Sequence, residues 1–338
     1  MSESRLWTFK PDCETEQDLT SIPRTQLGST GISVSRFILG AGGIGGVATV
    51  TGPGIGLDEE QGGALVDHAL EVGITVIDTA DVYADGASER IVGGWRARHA
   101  EADLLIETKA GMTRNGPDLS PGRLRRKLES ARRTLGRVDL FLPHAVDPDT
   151  PWSESLPVLS EAVDQGLIRA YGLSNVTEAD LADALETADR LGIRRPQLVQ
   201  NRYSLIARGD EAGVLPLARA ESIGYTPYSP LAAGLLAGRY SDGEQPGHGS
   251  RLSTQAPTLT ALSGREVPEK VRRFNQVAQH SGLAPAALAL AWLLNQPGVT
   301  APIVGPSKPS HWDAVTSSVT VPWTGTLNQA VEEAFADD

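Results

Sequence analysis

Cysteine is almost missing from this chain of 338 residues, in which Cys13 stands alone. One thiol closes no disulfide within the chain and builds no cysteine-based metal site. Positive charge is also in deficit: 42 acidic residues against 30 basic ones give a formal net charge of −12. Such a surface repels phosphate backbones and anionic lipid, so neither nucleic acid nor a membrane is an expected partner. No uninterrupted apolar stretch approaches the ~18 residues of a membrane span. The opening MSESRLWTFKPDCETEQDL lacks the apolar segment of a secretory signal. A cytoplasmic location is the resulting expectation.

What is present suits a large core. Hydrophobic residues make up 40% and charged residues 21%, the balance of an ordered globular chain. Residues 1–23 are polar and without periodicity, and read as an extension. Arg24–Leu39 alternates apolar and polar residues around Ser29-Thr30-Gly31, which predicts a hairpin, with Ser35–Leu39 readable either as its second arm or as a first sheet strand. Strand and helix patterns then alternate. Strands are predicted at Ile74–Asp78, Leu104–Lys109, Val138–His144, Ile168–Ser174, Gln197–Asn201, Tyr225–Ser229 and Ala301–Val304. Helices are predicted from near Asp58 to Val72 and at Ser88–Ala100, Ser120–Gly136, Ser153–Gly166, Thr177–Leu191 and Asp210–Ser222. After a Gly-, Ser- and Pro-rich excursion at Leu231–Arg265, further helices are predicted at Val267–Ser281, Pro285–Asn295, Ser310–Ser317 and Thr326–Ala336. Alternation at this spacing implies βαβ units and parallel strands. Roughly eight units predict one (β/α)₈ TIM barrel over residues 24–338, with an N-terminal β-hairpin and extra C-terminal helices.

In such a barrel the chemistry sits at the C-terminal ends of the strands. Polar residues collect there: Asp78, Lys109, His144, Ser174, Asn175, Gln200, Asn201 and Ser229, with Tyr83 on the loop after Asp78. Each has a structural reading on its own, as a loop carboxylate, an ion-pair partner or a satisfied core histidine. Four of them together form a chemical set. A phenol is a poor acid at neutral pH, and a nearby ammonium favours its phenolate. A carboxylate such as Asp78 holds the lysine in place, and a histidine beside the phenol orients an oxygen or relays a proton. The set protonates an oxygen that is gaining negative charge, as hydride reduction of a carbonyl requires. His144 and Asp147 have no third ligand at sensible spacing, so no metal is expected. Asp81 gains no role and reads as a loop residue.

The runs DTADVYADGASE (Asp78–Glu89), ETKAG (Glu107–Gly111), PHAVDPDTP (Pro143–Pro151), GLIRAYGLSN (Gly166–Asn175), QNRYS (Gln200–Ser204) and YSPLAAGLLAGRY (Tyr228–Tyr240) resemble the aldo-keto reductases in order, spacing and position. The resemblance implies a (β/α)₈ barrel that binds a nicotinamide dinucleotide, usually NADPH, without a Rossmann fold. It implies Tyr83 as general acid, Lys109 and Asp78 as the pair that tunes it, and His144 as the residue that orients the carbonyl. It also places Ser174, Asn175 and Gln200 on the nicotinamide carboxamide and Tyr228 against the nicotinamide ring. Ser229, Pro230, Leu231, Ala232 and Ala233 match the pyrophosphate strap, and Arg239 and Arg251 match basic strap positions of some branches. Gly305, Ser307, Lys308 and His311 fall in the segment that meets the adenosine 2′-phosphate. The family commonly has Arg or Gln at the position of His311, and Glu-Asn where this chain has Ala314 and Val315. Lys308 and Arg251 still favour the extra phosphate of NADPH, with NADH left open.

Gly40–Gly45 (GAGGIG) fits G-x-G-x-x-G, yet the following Val47–Gly56 is loop-like, and the nearest strand to end in an acid ends only at Asp78. A Rossmann site needs a helix at once and an acid about 20 residues on. The segment reads instead as a first strand and loop, with Gly43 and Ile44 near the nicotinamide. The expected reaction is reduction of an aldehyde or ketone, a sugar or other small carbonyl compound, with NADP(H). The alternative is an NADPH-binding regulatory or redox-sensing partner protein with little turnover, a role that the resemblance also includes. The substrate and the oligomeric state stay open.

Overall fold

The computed structural model describes residues 21–52, 54–238 and 266–336. The extension is therefore described only from Ser21, and much of the excursion after Leu231, with Arg239 and Arg251, lies outside the described residues.

Strands β1 (Arg24–Gln26) and β2 (Ser33–Ser35) form the expected antiparallel hairpin. Its turn needs glycine: Gly28 has φ 52°, and a Cβ there would lie 2.5 Å from the Gly224 amide nitrogen. The hairpin does not run on to Leu39. The Arg36 guanidinium donates to the Leu294 and Val299 carbonyls, Phe37 is fully buried, and a new strand, β3 (Ile38–Gly40), begins. The two readings of Ser35–Leu39 each hold for part of the segment: Ser35 ends the second arm of the hairpin, and Ile38 and Leu39 belong to the sheet strand.

After β3 come β4 (Val76–Asp78) and β5 (Leu105–Ala110). A short hairpin, β6 (Met112–Thr113) with β7 (Gly116–Pro117), was not predicted. Strands β8 (Leu140–Pro143), β9 (Ala170–Tyr171), β10 (Leu173–Ser174), β11 (Leu198–Gln200), β12 (Gly224–Tyr225) and β13 (Ile303–Val304) follow. Two parallel sheets result, ordered β13-β3-β4-β5-β8-β9 and β10-β11-β12. The single strand predicted at Ile168–Ser174 is thus two, parted by Gly172. The Leu198 backbone comes so near that a Cβ on Gly172 would sit 2.4 Å from its carbonyl oxygen. At the far margin the Thr300 amide donates to the Tyr225 carbonyl and the Ile303 amide to the Pro227 carbonyl, both at 2.8 Å.

The helices are α1 (Glu59–Glu71), α2 (Ala87–Arg98), α3 (Pro121–Leu135), α4 (Trp152–Asp164), α5 (Glu178–Leu191), α6 (Val214–Ala220), α7 (Val267–His280), α8 (Pro285–Leu294), α9 (Trp312–Ser318) and α10 (Gly325–Phe335). Their starts are local: Asp58 with Gln61, and Thr177 with Asp180, form capping boxes, and Pro121 opens α3. The helix predicted from Asp210 begins at Val214, because a 3₁₀ turn occupies Gly209–Ala212. Helix α8 is apolar on every side, and Ala287 through Leu293 are all buried. Among the described residues no single helix is long and apolar enough to cross a membrane; α7 and α8 pass that test only as a pair bent by 95°.

Alternation along the strands divides the core. Leu39, Ile77, Ile106, Phe141, Val199 and Val304 belong to a cluster shared with the helices. Ile38, Val76, Leu105, Leu140, Leu142, Leu198 and Ile303 belong to a second cluster, closed at one end by Leu27, Ile32 and Val34 of the hairpin segment. The period of two then continues the second face from Val76 to Asp78, from Leu105 to Glu107 and Lys109, and from Leu198 to Gln200. One face therefore passes from apolar to polar toward the C-terminal strand ends, and that sets where a site can form. Gly172→Ala is expected to destabilise the protein by about 2–3 kcal/mol through overpacking against Leu198, readable as a lowered urea midpoint with an unchanged slope.

Candidate functional site

Asp78 ends β4, and its register partner Glu107 lies on β5, two residues before Lys109. Gln200 ends β11. All four are nearly inaccessible, at 3%, 0%, 1% and 2% exposure. The Lys109 ammonium donates to the Asp78 carboxylate and, at 2.9 Å, to the Thr79 carbonyl. The Gln200 amide donates to Glu107 Oε1 at 2.6 Å and to Asp78 Oδ1 at 3.1 Å. Burial works to lower the lysine's pKa, but the negative charge around it, that of Asp78 foremost, outweighs burial and the net shift is upward. Burial first, and the Asp78 charge next, hold the Glu107 carboxyl well above the usual carboxylate range.

Tyr83 is brought over this layer by its loop. The Asp81 amide donates to the Lys109 carbonyl at 2.9 Å, the Tyr83 amide to the Ala80 carbonyl at 3.1 Å, and the Ala84 amide to the Ala48 carbonyl at 2.7 Å. Ala84 and Asp85 both sit in the left-handed region, at φ 50° and 52°, each costing roughly 1–3 kcal/mol that the surrounding contacts must offset. The result places Lys109 Nζ 5.1 Å from the centroid of the Tyr83 ring. Asp81 does more than the sequence indicated: its carboxylate pairs with Lys127 of α3 at 2.8 Å and ties the loop to that helix.

His144 follows β8, its amide bound to the Ala110 carbonyl at 2.8 Å. Its ring meets Tyr83 edge to face, with centroids 5.9 Å apart. Burial and, next, the Lys109 charge lower its pKa to about 3, so the imidazole is neutral at physiological pH. Nδ1 is buried without a hydrogen-bond partner, a polar atom aimed at nothing in the protein. Asp147 does not join this group: its carboxylate accepts from the Leu119 and Asp149 amides. Among the described residues no three His, Cys, Asp or Glu stand close enough to hold a metal.

The expected cofactor positions divide. Ser174, Asn175 and Tyr228 form one chain beside the strand ends. Tyr228 Oη donates to Asn175 Oδ1 at 2.6 Å, and Asn175 Nδ2 donates to Ser174 Oγ at 3.1 Å and to the His144 carbonyl at 2.8 Å. The Ser174 hydroxyl donates to the Gln200 carbonyl at 2.9 Å. Next to Tyr228 the backbone turns repeatedly left-handed, with φ of 57° at Ser229, 47° at Ala232, 56° at Ala233 and 102° at Gly234. Successive turns of this kind form concavities of amide groups that suit an anion. Gly305, Ser307 and Lys308 are exposed just beyond β13, and the Ser307 amide donates to His311 Nδ1 at 3.1 Å. The Ile44 side chain is buried against Gly62 of α1, its amide donates to the Ala41 carbonyl at 2.9 Å, and the Gly43 carbonyl accepts from the Leu57 amide at 2.8 Å. The GAGGIG run ends β3 and turns into loop, with α1 starting only at Glu59.

Glu107 is a site residue that the polar strand ends alone do not single out, although its spacing points to it. Two residues before a strand lysine is the same face, whereas Thr108 between them points to α2 and donates to Glu89 at 2.7 Å.

Parallel strands that present a carboxylate, an ammonium, a phenol and an imidazole at one end mark the scaffold of an α/β oxidoreductase. The sequence model of the Aldo/keto reductase family matches residues 38–334, and the chain belongs to that family. It is 32% identical over 300 residues to the aldo-keto reductase YhdN of Bacillus subtilis, covering 86% of this chain and 87% of that protein. It is 31% identical over 308 residues to a putative voltage-gated potassium channel subunit beta of Schizosaccharomyces pombe, covering 86% of each. It is 29% identical over 337 residues to the versiconal hemiacetal acetate reductase of Aspergillus parasiticus, covering 92% and 96%. The family usually binds a nicotinamide cofactor, and the half-exposed Tyr228 ring, the left-handed run after it and the orphaned His144 nitrogen fit such a group.

Removing one partner of the buried pair leaves the other charged and dry. Lys109→Met is expected to lower stability by about 3–5 kcal/mol, read by chemical denaturation. The His144 pKa is depressed on folding, so the unfolded chain binds more protons between its ordinary value and about 3. Its contribution is complete above the unfolded pKa and is lost as pH falls. His144→Gln is therefore expected to lose less stability than the wild type between pH ~7 and ~4.5, measured by urea unfolding at both.

Proposed function

We propose that this protein reduces an aldehyde or ketone to an alcohol with NADP(H), and that Tyr83 donates the proton. The observation that carries the reading is the wholly buried Lys109, paired with Asp78 and facing the Tyr83 ring, which in turn meets a neutral His144. The fold behind it is read as a closed (β/α)₈ barrel. Only Gly172 separates the two sheets at one margin, and the Thr300 and Ile303 amides join them at the other.

The nicotinamide cofactor, when bound, supplies the hydride to the carbonyl carbon. This chain's residues supply the rest. The Tyr83 hydroxyl releases its proton to the carbonyl oxygen as negative charge grows there. The Lys109 ammonium favours the charge left on the phenol oxygen. Asp78 and the Thr79 carbonyl hold that ammonium at one place. A neutral His144 offers one N–H to the carbonyl oxygen and orients it without taking the proton in advance. Ser174 and Asn175 would meet the carboxamide, Tyr228 the ring, and the Ser229–Ala233 backbone the pyrophosphate. The exposed Ser307 and Lys308 suit the 2′-phosphate that distinguishes NADPH.

A second reading rests on the relative named as a putative potassium channel subunit beta: an NADPH-binding partner protein with little turnover. The tests separate them. Wild type is expected to oxidise NADPH in the presence of a reactive aldehyde, and Tyr83→Phe to lower kcat about 100-fold or more. A wild type as inert as the variant, yet quenched on NADPH titration, establishes the second reading. NADPH is expected to give the higher kcat/KM; equal values with NADH would overturn the role given to Lys308.

A further inference from the structure

The polar layer under Tyr83 holds one carboxyl more than its cations can pair. Two carboxyls, Asp78 and Glu107, share the ammonium of Lys109 and the amide of Gln200, and all four are essentially out of water. Lys109 is committed to Asp78 and to the Thr79 carbonyl. Gln200 serves Glu107 through Oε1 alone. Glu107 Oε2 is buried and receives no donor. A carboxylate oxygen so placed would be a desolvated, unpaired charge, the costliest arrangement in a protein interior. A hydroxyl there has an acceptor beside it, because Asp78 is the register partner of Glu107 on the adjacent strand and both carboxyls accept from the same Gln200 amide nitrogen.

We propose that Glu107 is a positioning residue: a neutral carboxylic acid whose Oε2–H donates to the Asp78 carboxylate and holds the Asp78–Lys109 pair, uncompensated by further negative charge, beneath Tyr83. This rests on the proton-donor reading of Tyr83 given above. The groups that face Glu107 are Asp78 from β4, Lys109 from its own strand and Gln200 from β11, with Tyr83 and His144 beyond the lysine. With Glu107 neutral the layer carries one positive and one negative charge, and the ammonium's field reaches the phenol oxygen. Were Glu107 to ionise, a second buried negative charge would oppose the charge that must develop on that oxygen, and reduction would slow. Burial and the neighbouring Asp78 both act in the direction the proposal needs.

Glu107→Gln is the informative variant, since its amide can donate to Asp78 as the acid does while its carbonyl still accepts from Gln200. Glu107→Leu removes both functions. Infrared difference spectra of wild type minus Glu107→Gln, without cofactor, should show the carbonyl stretch of a protonated carboxylic acid at neutral pH. That band should titrate away on the alkaline side with the same midpoint as a fall in wild-type kcat. In Glu107→Gln, kcat at neutral pH should stay within about threefold of wild type, and that midpoint should vanish from its profile. Glu107→Leu should lose at least about tenfold in kcat, with the KM for NADPH much less affected. Absence of the band overturns the proposal, as do superimposable pH profiles of wild type and Glu107→Gln. A wild type that shows the band but reduces no carbonyl supports the placement of the proton while sinking the catalytic reading of Tyr83.

Discussion

A charged pair taken wholly out of water governs this structure. Lys109 and Asp78 lie on adjacent strands, and each is intolerable without the other at that depth. Desolvation costs several kcal/mol per ion, so such a pair persists only where extra hydrogen bonds complete it. Here the Thr79 carbonyl completes the lysine and the Gln200 amide the aspartate. The pair thereby locks the relative positions of β4, β5 and β11, and it fixes a positive charge at one point above the apolar interior.

The surroundings make sense as consequences of that point charge. The Tyr83 loop accepts two left-handed residues and pairs Asp81 with Lys127, which holds the phenol over the ammonium. His144 is kept neutral by burial and by the same ammonium. The fold and the chemistry are thus coupled through a single strand rule. The face that is apolar at Val76, Leu105 and Leu198 becomes polar two residues later.

The chain belongs to the aldo/keto reductase family, which usually binds a nicotinamide cofactor. Relatives of comparable identity carry names as different as a hemiacetal acetate reductase and a channel subunit. What separates such proteins lies on the loops that surround a shared scaffold. In this chain β6 and β7 form a small hairpin just after β5.

The sequence by itself determined the alternation of strands and helices, because hydrophobic period and cap residues such as Asp58, Thr177 and Pro121 act locally. It also determined that Asp78, Lys109 and His144 would end neighbouring strands, since period and length suffice for that. Tertiary structure alone decided the rest. Where Ser35–Leu39 leaves the hairpin turned on Arg36 reaching carbonyls more than 250 residues away. The break at Gly172 arose from contact with Leu198 on another strand. Ile44 turned into the core because α1 offers it a glycine surface. The protonation that Glu107 needs follows from Asp78, Lys109 and Gln200 meeting around it, since charge balance in a dry interior is a property of neighbours in space and not of neighbours in sequence.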